Sequence, residues 1–271
     1  MQALHTEIDR PLYLQLVDIL RREIAGKRPG ERIDSEPALA ERFGVSRFTV
    51  TRAVELLVDE GLIRRRQGLG SFVAPPPLRR RPSYLASFTQ TVEAHGRLAT
   101  HRLIAFEETE WREGLPYDRG EALIRLDRLR LVDNIPTALH ASVLSAEIVR
   151  RIGLTRELAA APRFSLYRLF AEAGLAAARG VETLRARAAS PEEQRLLELD
   201  DARVVMEVAR RTYDRAGSLV DFVHAVYDAR RYAYEAEISA DAKEDANAGK
   251  TNALNAFGRR LGPWGNGGGG G

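Results

Sequence analysis

Residues 46–52, with the sequence SRFTVTR, combine guanidinium and hydroxyl groups at a helical spacing. A guanidinium can donate two hydrogen bonds to O6 and N7 of guanine, so Arg47 is the strongest candidate for a contact with a DNA base. The stretch therefore predicts a helix whose N-terminal part enters the major groove. The candidate contacts on this helix, and at the start of the helix before it, are Ser35, Ser46, Arg47, Phe48, Thr49, Thr51 and Arg52.

A second cationic group follows at residues 64–70, RRRQGLG. Residues 62–66 predict a strand, residues 67–70 a turn and residues 71–73 a returning strand. Arginines and glycines suit a ribbon that presses against phosphates or enters the minor groove. The candidate contacts here are Arg64, Arg65, Arg66, Gln67, Gly68 and Gly70.

Three helices must position these groups. An apolar-rich stretch from Pro11 predicts a first helix that ends near Gly26. Ser35 can cap a second helix, and Gly44 can end it in a left-handed conformation. Ser46 can cap the third helix, whose apolar residues repeat with the spacing of a buried stripe. That stripe consists of Val50, Ala53, Val54, Leu57 and Val58.

Residues 35–73 resemble the DNA-binding domain of the GntR family of bacterial transcription regulators, whose pattern is close to SExxLAxxFGVSRxTVxxAxxxLxxxGLIxRxxGxGxFV. The resemblance implies a winged helix-turn-helix domain, placed here at residues 1–73, with double-stranded operator DNA as its partner. The sequence departs from the pattern at Thr51, where the family often has arginine, and at Phe48, where it usually has a smaller or more flexible side chain. These departures leave the predicted fold unchanged but alter the expected base preference.

Three prolines mark the boundary between two domains. Residues 74–82 begin APPP, which cannot continue a strand ladder and predicts an extended linker. Arg79, Arg80 and Arg81 within this linker could contact DNA phosphates or could simply be solvated, and the sequence favours neither role.

Beyond the linker, the pattern predicts an α+β domain over residues 83–240 that is built on an antiparallel sheet. A capping box at residues 87–90 opens a helix that ends by residues 95–96, and Ser165 is expected to cap another helix. The predicted strands are residues 101–110, 121–132, 136–144, 178–188, 203–214, 218–227 and 232–239, and the predicted helices are residues 145–152, residues 165–173 and a segment that begins at Ser190.

Arg128 and Arg130 are two residues apart on a predicted strand and therefore point to one face, together with Ile124 and Leu126. Two cations beside apolar residues indicate either an anion site or a face that turns into solvent, and the spacing alone does not decide between them. Asp221 and Tyr227 also share a strand face, where they either line a pocket or solvate the sheet.

The second domain resembles the UTRA effector-binding domain of the HutC-like subfamily, which has a chorismate-lyase-like fold. The resemblance rests on residues 87–96, 125–144, 164–174 and 210–232. It implies that Arg128, Arg130 and the start of the helix at Ser87 hold a phosphate or carboxylate. The expected effector is therefore a small anion: a sugar phosphate, a phosphonate or a carboxylate. His140 and Asp221 stand where members that bind sugar phosphates often have glutamate, so recognition of sugar hydroxyls does not follow from the resemblance. His140 either hydrogen-bonds a carboxylate or ring nitrogen of the ligand or has a structural role. The candidate effector-binding residues are Ser87, Phe88, Thr89, Arg128, Arg130, His140, Ser165, Tyr167, Asp221 and Tyr227.

Composition excludes several other functions. The chain has no cysteine, which excludes disulfides, thiolate metal sites and cysteine catalysis. Residues 81–240 contain no lysine, which excludes a pyridoxal-phosphate Schiff base there. We expect no cofactor, no metal, no membrane segment and a cytoplasmic location, with a disordered tail at residues 241–271.

The sequence thus predicts a transcription regulator, specifically a repressor, that binds an inverted repeat of DNA as a homodimer and responds to a small anionic effector. Two alternatives stay open. One is a DNA-binding dimer that needs no effector. The other is lyase-like activity in the second domain, which fold alone does not imply.

Overall fold

The computed structural model describes residues 10–66, 68–81, 85–199 and 204–236. The chain divides into two compact units between Pro77 and Leu78. Gln67 and the predicted tail at residues 241–271 lie outside the described residues. Within the described ranges, no helix is long and apolar enough to cross a membrane.

The first unit consists of three helices and a two-stranded antiparallel ribbon, as predicted. Its elements are α1 (Leu12–Ala25), α2 (Glu36–Phe43), α3 (Arg47–Asp59), β1 (Ile63–Arg66) and β2 (Gly70–Val73).

The caps explain where the helices of the first unit begin and end. The Ser35 hydroxyl accepts a hydrogen bond from the Ala38 N–H at 3.4 Å, and the Ser46 hydroxyl accepts one from the Thr49 N–H at 3.1 Å. Gly44 separates the two helices with a φ of 65°, which a residue without Cβ adopts at no steric cost. The predicted stripe of α3 is buried against Leu16, Leu20, Leu39 and Ile63, so α3 has one packed face and one free face.

The second unit is a six-stranded antiparallel sheet with helices on both faces. Its strand order is β4-β5-β6-β9-β8-β7. The elements are β3 (Leu78–Arg80), α4 (Phe88–Ala94), β4 (Ala99–Thr109), β5 (Leu123–Val132), β6 (Ile135–Ser145), α5 (Ala146–Arg151), α6 (Arg156–Ala160), α7 (Leu166–Glu172), β7 (Arg179–Ala188), α8 (Pro191–Leu197), β8 (Val204–Tyr213), β9 (Leu219–Asp228) and β10 (Tyr232–Tyr234).

Two strands differ from the prediction. Leu78–Arg80 was expected to be linker, yet it forms β3 and pairs in parallel with β10, outside the antiparallel sheet. Leu78 is buried, and its N–H donates to the Arg231 carbonyl at 2.8 Å, so the extended segment ends at the last proline. The predicted strand 232–239 ends at Tyr234, and residues 237–239 lie outside the described residues. Helix α6 was not predicted.

Strand alternation assigns each side chain of β5 to one face of the sheet. Leu126 packs with the helices α5 to α7, whereas Leu129 packs with Leu197 of α8 on the opposite face. Arg128 and Arg130 therefore point to the same face as Leu126, beneath α4 and α7.

Candidate functional site

Helix α3 exposes a cationic face that also carries one aromatic ring. Arg47, Phe48 and Arg52 are exposed, and Thr51 is half-buried beside them. Phe48 is 80% exposed, which makes it the most exposed large apolar side chain of the described residues. The other face of α3 is the buried stripe, so the exposed side chains Arg47, Phe48 and Arg52 can meet another molecule.

Two predicted contacts of this surface have structural roles as well. The Ser46 hydroxyl lies 2.9 Å from the Thr49 hydroxyl and caps α3, while Ser35 caps α2. These hydroxyls are at the positive ends of helices, where a phosphate could also bind. Arg52 lies 3.9 Å from Glu55 on the same helix, an exposed pair that contributes little to stability.

Thr51, a predicted DNA contact, also makes a contact within the protein. Its hydroxyl donates to the Glu36 carboxylate at 2.6 Å, and the Arg65 guanidinium contacts the other oxygen of Glu36, also at 2.6 Å. The start of α2 therefore joins α3 to the wing.

The wing is the ribbon formed by β1 and β2. Arg66 lies over the Phe72 ring, with its guanidinium carbon 5.2 Å from the ring centroid. Gly68 and Gly70 have φ values of 72° and 106°, so the turn needs residues that tolerate a positive φ. Arg64 is half-buried in β1.

A cavity of about 40 Å³ brings together all ten predicted effector-binding residues. It lies on the face of the sheet beneath α4 and α7. Strand β5 contributes Arg128 and Arg130, and strand β9 contributes Asp221 and Tyr227. The other predicted residues in its lining are Ser87, Phe88, Thr89, His140, Ser165 and Tyr167.

Arg128 and Arg130 are buried cations, with 4% and 3% of their surfaces exposed. The Arg130 guanidinium donates to the Thr89 hydroxyl at 3.0 Å and lies 4.6 Å from the centroid of the Phe88 ring. Both Nε atoms are buried without a hydrogen-bond partner among the described residues. Burial lowers the pKa of Arg128 to about 10 and that of Arg130 well below its usual value, since a charged group loses hydration there. The solvated-face alternative is therefore wrong for this pair.

Asp221 is a carboxylate at the other side of the cavity. It is 2% exposed, and its Oδ1 has no hydrogen-bond partner among the described residues. Burial raises the pKa of Asp221 to about 6, although the Ser142 hydroxyl, and then Arg128 and Arg210, favour the ionised form.

His140 lies between two aromatic rings. Its Nε2 is 3.0 Å from the Tyr227 hydroxyl, and its ring meets the Phe88 ring edge-on at 5.4 Å between centroids. Burial, and then Arg130 and Arg128, lower the pKa of His140 well below its usual value, so the ring is neutral at physiological pH. A neutral ring has one donor and one acceptor nitrogen, so it can bind a ligand group or serve a structural role, and both predicted roles of His140 stay open.

The helix starts differ from the prediction in two ways. The capping box at Ser87 is present, but it occupies the Ser87 N–H, which donates to Gln90 Oε1 at 2.9 Å. Only Phe88 and Thr89 therefore remain as main-chain donors outside the box. Ser165 begins α7 without a capping hydrogen bond from its own hydroxyl, as far as the described residues show.

Sequence reasoning missed Arg80 and Arg210, which also line the cavity. Arg80 donates to Glu182 at 2.8 Å and to the Ala86 carbonyl at 3.0 Å, and Arg210 contacts Glu182 and the Tyr167 hydroxyl. Although burial opposes it, Tyr167 and Glu182 raise the pKa of Arg210. Both roles considered for Arg80, a phosphate contact and a solvated linker residue, are wrong because its side chain is buried in this ion pair. The signal that could have identified Arg210 is its place in residues 210–232, on which the resemblance to the UTRA domain rests.

Two family models match the chain. They are "Bacterial regulatory proteins, gntR family", over residues 12–73, and "UTRA domain", over residues 90–233. The chain is 28% identical over 231 residues to the HTH-type transcriptional repressor NagR of Bacillus subtilis, which covers 83% of this chain and 93% of NagR. It is also 28% identical over 225 residues to the HTH-type transcriptional repressor PhnF of Mycolicibacterium smegmatis, which covers 82% of this chain and 90% of PhnF.

A solved structure agrees with these matches. The crystal structure of PhnF from Mycobacterium smegmatis superposes with a TM-score of 0.57 at 26% identity and covers 83% of this chain and 99% of the PhnF chain. The similarity thus spans both units of the chain.

Proposed function

Since the chain belongs to the GntR family of bacterial regulatory proteins, in its HutC-like subfamily with a UTRA domain, we propose that it is a repressor released from operator DNA by a small anionic effector. It acts as a homodimer whose two α3 helices enter the major groove at the half-sites of an inverted repeat. The relatives NagR and PhnF carry the name of repressors, which supports repression over activation.

The charge of the cavity is the observation that carries the effector proposal. Four arginines line it, while two carboxylates, Asp221 in the lining and Glu182 behind it, oppose them. At neutral pH this leaves two positive charges uncompensated among the described residues. Buried charges are costly unless they are paired, so a ligand with one or two negative charges completes the site. A sugar phosphate, a phosphonate or a carboxylate meets this requirement.

The size of the cavity links ligand binding to movement. A space of about 40 Å³ holds roughly three water molecules at about 10–15 Å³ each, which is too little for a metabolite. The effector must therefore displace part of the wall, which includes Arg80 of β3 and the first turn of α4. Because Arg80 follows Pro77 by three residues, a shift of β3 also displaces the end of the proline linker. Coupling of this kind usually amounts to about 1–3 kcal/mol.

Three measurements test the proposal on the full-length protein. Selection from a random duplex library should return an inverted repeat, and light scattering should give the mass of a dimer. A thermal-shift screen against sugar phosphates, phosphonates and small carboxylates should find a ligand that raises the unfolding temperature, since binding to the native state stabilises it by mass action.

The ligand found in this screen should lower operator affinity of the parent. It should have the same effect on Arg102→Ala, which alters an exposed arginine of β4 outside the cavity lining. Operator binding that no member of the panel alters, in a protein that none of them stabilises, would instead favour the DNA-binding dimer without an effector. A failure to select any sequence would refute DNA recognition itself.

A further inference from the structure

Phe48 is an apolar side chain that folding does not explain. It is 80% exposed and is not part of the hydrophobic core of the first unit, to which Phe43 of α2 contributes. Because the ring stays in water, it contributes no hydrophobic free energy to folding. Its position beside Arg47, in the first turn of α3, is the part of a recognition helix that reaches base edges.

The surroundings of Phe48 decide which kind of molecule covers the ring. Thr51 and Arg52 follow it by three and four residues and therefore share its side of the helix, and Arg47 precedes it directly. Arg65 of the wing reaches Glu36 next to Thr51. A ring among guanidinium groups disfavours an apolar protein partner, which would have to bury those charges. It suits a polyanion that carries isolated apolar groups between its charged strands.

The major groove of DNA fits this description. Thymine presents a 5-methyl group there, which cytosine lacks, and a phenyl ring is one of the side chains that packs on it. We propose that Phe48 packs on a pyrimidine 5-methyl group and so makes thymine the preferred base beside the pair contacted by Arg47. This inference rests on the proposed binding of α3 in the major groove and goes beyond it by naming the chemical group that is read.

Replacement of thymine by deoxyuridine gives a sharp test, because it removes the methyl group and leaves the base pairing intact. The operator selected with the parent protein is synthesised with one thymine per half-site replaced in turn, and dissociation constants are measured by fluorescence anisotropy. For one position the parent should bind about four-fold more weakly per half-site, the factor that corresponds to burial of one methyl group. A duplex with a C·G pair at this position gives a second test. Replacing its cytosine by 5-methylcytosine should tighten binding by a similar factor.

The variants assign the effect to Phe48. Phe48→Ala should bind the thymine and uracil duplexes equally, whereas Phe48→Leu should retain part of the preference because it keeps an apolar group. Leu69→Ala, which removes another exposed apolar side chain at the tip of the wing, should discriminate like the parent. Unfolding temperatures should be equal for all variants, since Phe48 lies outside the core.

Two results would overturn this inference without refuting the proposed function. One is a parent protein that binds all thymine and uracil duplexes equally while Arg47→Ala still loses the operator, which would leave the DNA-binding function standing. The other is a Phe48→Ala variant that keeps its methyl preference; a changed mass of this variant in light scattering would then assign the ring to a protein contact. A parent protein that selects no sequence would refute this inference together with the proposed function.

Discussion

We expect Asp221 to lower the stability of the protein at neutral pH, so that Asp221→Asn should stabilise it. The carboxyl group is fully buried, and burial raises its pKa from 3.8 to about 6. The folded state thus holds the proton more tightly than the unfolded state does. The contribution of this group to stability is complete below pH 4 and is lost as the pH rises through 6. Asparagine is neutral at every pH and does not undergo this loss.

The size of the effect follows from the pKa shift. A shift of about 2 pKa units, at about 1.4 kcal/mol per unit, gives roughly 3 kcal/mol. The variant should be more stable than the parent by up to this amount at pH 7.5 and equal to it at pH 4. The stabilised variant should respond poorly to the effector, since a carboxylate retained at this cost is expected to accept a hydrogen bond from the ligand.

Urea unfolding of the full-length protein between pH 4 and pH 8 measures this difference. Trp111 reports on the second unit, and a Trp264→Phe background removes the other tryptophan. Asp133→Asn supplies a control of opposite sign. Against the effect of partial burial, the Leu98 N–H and Arg97 lower the pKa of Asp133, so that variant should lose stability above pH 4. Parallel pH profiles for the parent and Asp221→Asn would refute the reasoning.

Four further outcomes are expected. Arg47→Ala should cost about 1–3 kcal/mol of operator affinity and relax the preference at one base pair, as measured by selection on a randomised operator. Arg66→Ala should weaken binding to all DNA sequences alike and reduce the slope of log affinity against log salt by about one. An unchanged slope would show that Arg66 does not contact a phosphate. Glu36→Gln should lower the ratio of operator to random-DNA affinity, and its effect should not add to that of Arg65→Ala if the carboxylate positions this arginine. Arg130→Ala should bind the operator normally and ignore the effector; release at the parent's effector concentration would exclude Arg130 from the site.

The first unit could be predicted almost entirely because its signals are local. Caps at Ser35 and Ser46, the left-handed glycine at position 44 and a stripe with helical spacing act within one or two turns of the chain. The contact between Thr51, Glu36 and Arg65 could not be predicted, because three separate elements must first pack together.

In the second unit, the sequence by itself determined which residues share a face. A strand has a period of two, so Arg128 and Arg130 had to point the same way once the strand was recognised. The same period grouped Asp221 with Tyr227. Whether that face met solvent or enclosed a cavity was left open. The helices that cover it, α4 and α7, come from other parts of the chain, and a local pattern does not show where they pack.

The tertiary structure alone decided the charge balance of the cavity. Arg80 and Glu182 are 102 residues apart, and they meet because β3 pairs with β10 while β7 forms the edge of the sheet next to β8. Ion pairs of this kind depend on strand order and on burial, for which a local pattern carries no information. The same packing buries Arg128 and Arg130 without enough opposing charge. Burial also removes the water that would otherwise solvate a guanidinium, so the unbalanced charge is costly.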